Sequence, residues 1–464
     1  MSIRKNLTFS AILTFSTYLV PLLVFPYISR ILGADCIGAI DTVDSTIDYC
    51  ILISMMGMST LGIREIAKHR DNRSELQMAF NNLFWLNAIS TAIVFAVLVG
   101  ATCLIPDLQH RYILLTIGSF KLLANLFWIE WFYRGLEEFG YITIRSVIVR
   151  ILFIASVFIF VKEKSDFTIY YALFVGIVVL NAICNWGHKK VSLQIHGVNL
   201  KTYLKPFIML GLFAMISAVY TKLSIPVLSF TSGDQEAGYY STAARMYQVI
   251  IALISSLISV LIPRMSVLLK ENNFSEIQKL YKLAFQILFF IAIPVVIYVE
   301  FLSPDIIYVF AGKGFDPAIP LMQVIMAQVL IIGIEQIIVL QLLIPMKQDK
   351  VVVKAGMLGM ITWGILSILL VPRLQGLGTA IVWIASETAV MVYAFIHIRK
   401  LLSFGFPWKL FIASCLESIP YLIFGGIGII VFHSSLPRLT FITFVFSIYT
   451  VILWLRKKKH TQLA

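Results

Sequence analysis

Long apolar stretches follow one another along the whole chain, each closed by a short polar, glycine-bearing or proline-bearing break. A run of roughly twenty apolar residues is the length that crosses a bilayer as a helix. On that criterion the pattern predicts spans at 7–29, 38–63, 78–105, 112–133, 141–161, 167–187, 206–230, 237–262, 278–302, 318–344, 351–371, 377–398, 410–432 and 438–455. The expected fold is therefore an all-α polytopic membrane protein with about 14 transmembrane helices. An even number puts both termini on one side. No stretch is polar enough to form a soluble domain.

Lysine and arginine say which side. Ends and loops taken alternately hold 26 of these cations in one set and 7 in the other, and the first set includes both termini. The basic set faces the cytoplasm. The formal charge of +13 is thereby accounted for by membrane topology and does not point to nucleic acid. The composition agrees: 59% of the 464 residues are hydrophobic and 13% charged, where a soluble protein carries about a quarter charged residues. Arg4 and Lys5 precede about 25 mostly apolar residues with no small-x-small cleavage site, so this segment is expected to stay as the first span.

The chain repeats itself. Pro26, Ser29, Gly33 and Gly38 match Pro226, Ser229, Gly233 and Gly238 at one offset, and the register runs on through Arg64 and Arg264 to Asn72 and Asn272. The offset covers six spans, so the copies insert with the same orientation, as parallel repeats. The expected organisation is an N-lobe at 1–190, a basic cytoplasmic linker at 191–205, a C-lobe at 206–401, and two additional helices with a basic tail at 402–464. The paired glycines are expected in tight connections that need close approach or unusual dihedrals. The paired prolines lie inside apolar helices, which they bend by freeing a carbonyl.

Charges inside spans are the candidate functional residues. Lys121, Arg150, Lys222 and Arg245 remain once the loop cations are removed, and Arg30 lies at the outer end of the first span. Each costs about 2.5–3.5 kcal/mol at a helix centre, so it must face a cavity or a partner. Asp41, Asp44 and Asp48 fall at i, i+3 and i+7, on one face of the second helix. Glu130, Glu335, Glu387 and Glu417 are further intramembrane acids. Two uses of this set are open. The aspartates can be structural partners, Asp44 or Asp48 with Arg150 or Lys121. Alternatively, the five cations form a cavity for an anionic headgroup, since arginine and lysine hold phosphate, and an acid among Asp41, Asp44, Asp48 and Glu130 couples transport to protons or sodium. Trp128, Trp131, Phe132 and Tyr133, like Tyr239 and Tyr240, are expected in interfacial belts.

Nothing resembles an enzyme or an ATP-driven pump. The phosphate-binding GxxxxGK[ST] loop is absent. The seven histidines are scattered, and the five cysteines have no metal spacing. No metal or cofactor is implied.

The run Pro26-Tyr-Ile-Ser-Arg-Ile-Leu-Gly-Ala-Asp-Cys-Ile-Gly38 and the later Gly57-Met-x-x-Leu-Gly-Ile-Arg-Glu-Ile-Ala67 resemble the N-terminal signature of Wzx-type polysaccharide flippases, of the multidrug/oligosaccharidyl-lipid/polysaccharide (MOP) exporter superfamily. Gly238-Tyr-Tyr-Ser-x-Ala-x-Arg245, Leu261-Ile-Pro-Arg264 and Gly376-x-Gly-Thr-Ala380 resemble that family's second half. The resemblance implies a V-shaped, two-lobe transporter with a cationic cavity. It implies movement of an undecaprenyl-pyrophosphate-linked oligosaccharide, such as an O-antigen repeat unit, from the cytoplasmic to the outer leaflet of a bacterial inner membrane. A polysaccharide polymerase and chain-length proteins are the implied protein partners. Arg30 and Arg245 fall on motif arginines. The alternatives are a cation-coupled multidrug antiporter of the same superfamily, a lipid II flippase, or a membrane scaffold of a polysaccharide assembly complex.

Overall fold

The computed structural model describes residues 3–194 and 199–462. His196 in the linker lies outside them, as do the side chains of Arg4, Lys5, Lys457, Lys458 and Lys459. All regular structure in the described residues is helical. By compactness the chain divides into Met1–Gly238 and Tyr239–Ala464.

The first unit contains α1 (Ile3–Met55), α2 (Met58–His69), α3 (Arg73–Leu104), the single turn α4 (Pro106–Gln109), α5 (Tyr112–Phe127), α6 (Glu130–Gly135), α7 (Phe139–Phe160), α8 (Phe167–His188), α9 (Lys201–Lys222) and α10 (Ser224–Ser232). The second is built from α11 (Asp234–Ser259), which starts in the first unit, then α12 (Ile262–Lys270), α13 (Phe274–Phe310), α14 (Ala318–Ile338), α15 (Asp349–Leu402), α16 (Trp408–Glu417), α17 (Ile419–Val431) and α18 (Ser435–Gln462).

Eleven helices among the described residues are long and apolar enough to cross a membrane. Two of them carry two expected spans each. α1 breaks at Gly33 and α15 at Gln375, each with non-helical dihedrals inside an otherwise continuous helix. The expected span 206–230 runs over α9 and α10, which part at Leu223. Pro226 explains that break: it has no N–H to give the Lys222 carbonyl, so the helix cannot run through. Lys222 is thereby left at the C-terminal end of α9, where a cation complements the helix dipole.

The repeated glycines meet. Gly33 and Gly233 both take positive φ, 77° and 94°. A Cβ on Gly38 would lie 1.7 Å from the Asp234 carbonyl oxygen, and one on Gly238 would lie 1.9 Å from the Ala34 carbonyl oxygen. Under the repeat offset Ala34 corresponds to Asp234 and Gly38 to Gly238. The two contacts are therefore images of each other, and the turns of the two copies touch backbone to backbone about a local two-fold. Arg111 holds Asp234 at 2.9 Å, and the Ser229 hydroxyl donates to the same carboxylate at 2.5 Å. The repeat slips by one residue further on. Asn72 caps α3, accepting from the Ser74 and Glu75 amides, whereas the cap of α13 is Asn273 rather than Asn272.

Three of the four aromatic residues at the end of the fourth span are not an interfacial belt. Trp131, Phe132 and Tyr133 are buried with Phe80, Phe84, Leu61 and Ile66. The reason is local: α6 packs on α2 and carries these rings into a core. Tyr239 and Tyr240 are buried as well. In the second unit α17 and α18 pack on α13 through Leu302, Tyr421, Ile442 and Phe446. Arg438 of α18 pairs with Asp305 of α13 at 3.1 Å, and the Asp305 side chain is only 1% exposed.

Candidate substrate site

The acidic face of α1 finds its partners on three other helices. Lys121 of α5 donates to Asp44 Oδ1 at 2.6 Å and to Asp48 Oδ1 at 2.7 Å. Lys222 of α9 donates to the other oxygen, Asp48 Oδ2, at 2.6 Å. From α8, the Tyr171 hydroxyl donates to Asp44 Oδ1 at 3.4 Å, and the Phe174 ring lies 5.3 Å from Lys121 Nζ. The order is Tyr171, Asp44, Lys121, Asp48, Lys222. Two ammonium groups and two carboxylates balance, as an apolar bundle requires, and the bonds have the short lengths of charge-assisted pairs.

The two lysines differ in access. The Lys121 side chain is 9% exposed and that of Lys222 is 44% exposed. Lys121 sits deep and holds two carboxylates together. Lys222, at the proline break, holds one carboxylate and keeps its other face open. A break in a spanning helix is where backbone and side-chain polar groups can serve a solute without facing lipid.

The remaining candidates lie elsewhere. Arg150 on α7 donates to the Leu13 carbonyl at 3.1 Å, to the Thr17 hydroxyl at 2.8 Å and to the Ser16 hydroxyl. It thus ties α7 to the first half of α1. Arg30 is exposed and donates to the Pro26 carbonyl. Asp41 is half-buried one turn before Asp44. Arg245 is half-buried on α11, in the second unit. Glu130, at the start of α6, is 2.6 Å from Arg134 and 3.7 Å from Arg145, and it accepts from the Trp128 indole at 3.1 Å. It borders a pocket of about 400 Å³ with Ser59, Asn125, Trp128 and Arg134.

Three features escaped the sequence reading. Arg145, counted among loop cations, is buried on α7, where it bonds Asn185 and Ser146 and lies over the Tyr141 ring at 5.7 Å. The expected span 141–161 already contains it, and that was the available signal. Tyr171 and Phe174 carry no charge and gave none. In the second unit the Trp383 indole donates to Glu387, one turn further along α15, at 3.3 Å.

Comparison with known proteins now bears on this arrangement. Residues 3–269 match a family described as polysaccharide biosynthesis protein. A protein of Escherichia coli (strain K12) named "Putative O-antigen transporter" is 26% identical over 417 residues, covering 87% of this chain and 98% of its own. Among solved structures, the lipid II flippase MurJ in an inward closed conformation aligns with a TM-score of 0.78 at 17% identity, covering 97% of this chain and 99% of its own. An inward-facing multidrug resistance MATE family transporter of the MOP superfamily aligns with a TM-score of 0.64 at 13% identity, covering 84% and 94%. These last two likenesses concern the fold.

Proposed function

The chain belongs to the polysaccharide biosynthesis protein family, and from that membership we propose that it is a flippase for oligosaccharide joined by pyrophosphate to a long isoprenoid lipid. The observation that carries the reading is Lys222: a half-exposed ammonium at a helix break, within an apolar bundle, held by a single carboxylate. It can meet a pyrophosphate without leaving the helix end that stabilises it. The name of the Escherichia coli relative supports a surface-polysaccharide repeat unit such as O-antigen, and an undecaprenyl carrier follows from the sequence resemblance. Lys222 binds the headgroup. The glycan stays hydrated while the lipid tail stays in the bilayer. No covalent bond is made or broken, so the protein is a transporter and not an enzyme.

The cation distribution supports an inner-membrane topology with both termini cytoplasmic and transfer toward the outer leaflet by alternating access. The repeat supports lobes at 1–190 and 206–401 about the linker 191–205, although α9 and α10 pack within the first compact unit. H+ or Na+ is the candidate coupling ion, at Asp41, Asp44, Asp48 or Glu130. A polysaccharide polymerase and chain-length proteins are the candidate protein partners. The MurJ-like fold favours one second reading, lipid II itself, whose headgroup chemistry is the same.

Replacing Lys222 with alanine tests the assignment in cells that need this protein for surface glycan. Loss of surface glycan at normal expression is the expected result. Normal glycan in that variant refutes the cation assignment. Loss of peptidoglycan precursors at the cell surface instead selects the lipid II reading.

A further inference from the structure

Lys222 is the most open member of the charged chain, yet its ammonium is already occupied at 2.6 Å by Asp48 Oδ2. The second oxygen of the same carboxylate faces Lys121 at 2.7 Å, and Lys121 also holds Asp44. Asp48 is therefore anchored from behind whether or not Lys222 stays. We infer that Asp48 is an internal counter-ion that stands in for the substrate pyrophosphate on Lys222 when the carrier is empty, and that the substrate binds by displacing it. The inference rests on Lys222 being a headgroup ligand, as proposed above.

The charge arrangement gives this exchange two consequences. An empty carrier with a bare Lys222 would have to change conformation with an uncompensated cation in an apolar bundle, which is costly. Pairing with Asp48 removes that charge, so the empty and loaded carriers both present a neutralised Lys222. Once pyrophosphate takes Lys222, Asp44 and Asp48 share Lys121 alone. One negative charge is left beside the bound headgroup. It holds the affinity down and eases release at the far side. Affinity is exchanged for turnover.

The opposing roles make the prediction unlike that for a structural ion pair. Asp48→Asn removes the competitor and the repulsion together, so headgroup affinity rises while net transport falls. A partly exposed pair of this kind contributes up to about 1 kcal/mol, so competition alone tightens binding by about 2–5-fold. Net flux depends on return of the empty carrier and drops. Substrate-for-substrate exchange, which never requires the empty return, is retained. Asp48→Glu restores a carboxylate and recovers net flux.

The experiment measures binding of farnesyl pyrophosphate to the purified full-length protein, and net flux against exchange of lipid-linked oligosaccharide in proteoliposomes. Wild type, Asp48→Asn, Asp48→Glu and Lys222→Gln are compared. Tighter binding with reduced net flux and preserved exchange in Asp48→Asn is the expected result. Weaker or unchanged binding in Asp48→Asn, with binding lost in Lys222→Gln, overturns the exchange while leaving the headgroup assignment intact. Unchanged binding in Lys222→Gln overturns the headgroup assignment itself. Should Asp48→Asn fail to fold, the infrared difference spectrum of the wild type on adding farnesyl pyrophosphate decides. A shifted carboxylate stretch is expected as Asp48 loses its ammonium partner, and no shift overturns the exchange.

Discussion

Alanine at Gly38 tests whether the touching turns of the two repeats form a joint that opens. The new Cβ would lie 1.7 Å from the Asp234 carbonyl oxygen and 2.7 Å from the Gly238 nitrogen. Real Cβ contacts essentially never fall under 3.0 Å, so the two backbones must part by at least 1.3 Å. Both sides are main chain, and no side chain can rotate away. Overpacking of this sort costs about 1–3 kcal/mol, which moves the ratio of closed to parted joint by about 5–150-fold. Cys36 lies between Gly33 and Gly38 and is half-buried, so it reports on the joint. In a variant whose other four cysteines are replaced, a membrane-impermeant maleimide should label Cys36 faster in Gly38→Ala by a factor in that range. Gly238→Ala should match it, because its Cβ would meet the Ala34 carbonyl oxygen at 1.9 Å. The double variant should add little, since one separation relieves both clashes. Gly233→Ala is the control. It strains a positive φ but meets nothing within 4 Å, so it should destabilise without opening the joint. Unchanged Cys36 labelling in both Gly38→Ala and Gly238→Ala refutes the reasoning.

Other side chains separate structural from functional charge. Lys121→Met strands two carboxylates in the first unit and should lower stability by about 3–5 kcal/mol, whereas Lys222→Gln, at a half-exposed site, should change it by less than about 1 kcal/mol and still abolish transport; thermal melts in detergent compare the two. Arg438→Ala removes the ion-pair partner of the buried Asp305 and should destabilise the second unit by about 3–5 kcal/mol, with most of the loss recovered when Asp305→Asn is added. Trp131→Ala should cost about 3–5 kcal/mol, as for a core aromatic, where a ring in an interfacial belt would cost far less.

The fold was legible because spanning helices announce themselves by length and apolarity. Breaks were harder. Gly33 and the gap at 372–376 between two expected spans mark the breaks in α1 and α15, but the break at Leu223 falls inside the expected span 206–230, where the sequence predicts only a proline bend. The site was half legible. Intramembrane charges stand out by their cost, and Lys121 with Asp44 or Asp48 was one of the pairings open from the sequence. Arg150 was equally eligible, and only packing sends it to Ser16 and Thr17 instead. The Lys222–Asp48 pair joins residues 174 apart, across helices whose contact no periodicity reveals. The Trp131 cluster was misread for a related reason. Composition marks an aromatic girdle and an aromatic core alike, and the difference lies in whether a short helix such as α6 turns inward.

The central claim is that this chain alone moves a pyrophosphate-linked oligosaccharide across a bilayer and that Lys222 holds its headgroup. The direct measurement uses proteoliposomes containing only the purified protein and an undecaprenyl-pyrophosphate-linked oligosaccharide, with an externally added glycan-modifying enzyme reporting transfer between leaflets. Transfer well above protein-free vesicles for the wild type, falling to the protein-free level in folded Lys222→Gln, is the predicted result. Wild-type transfer no faster than in protein-free vesicles, or equal transfer by Lys222→Gln, would contradict it.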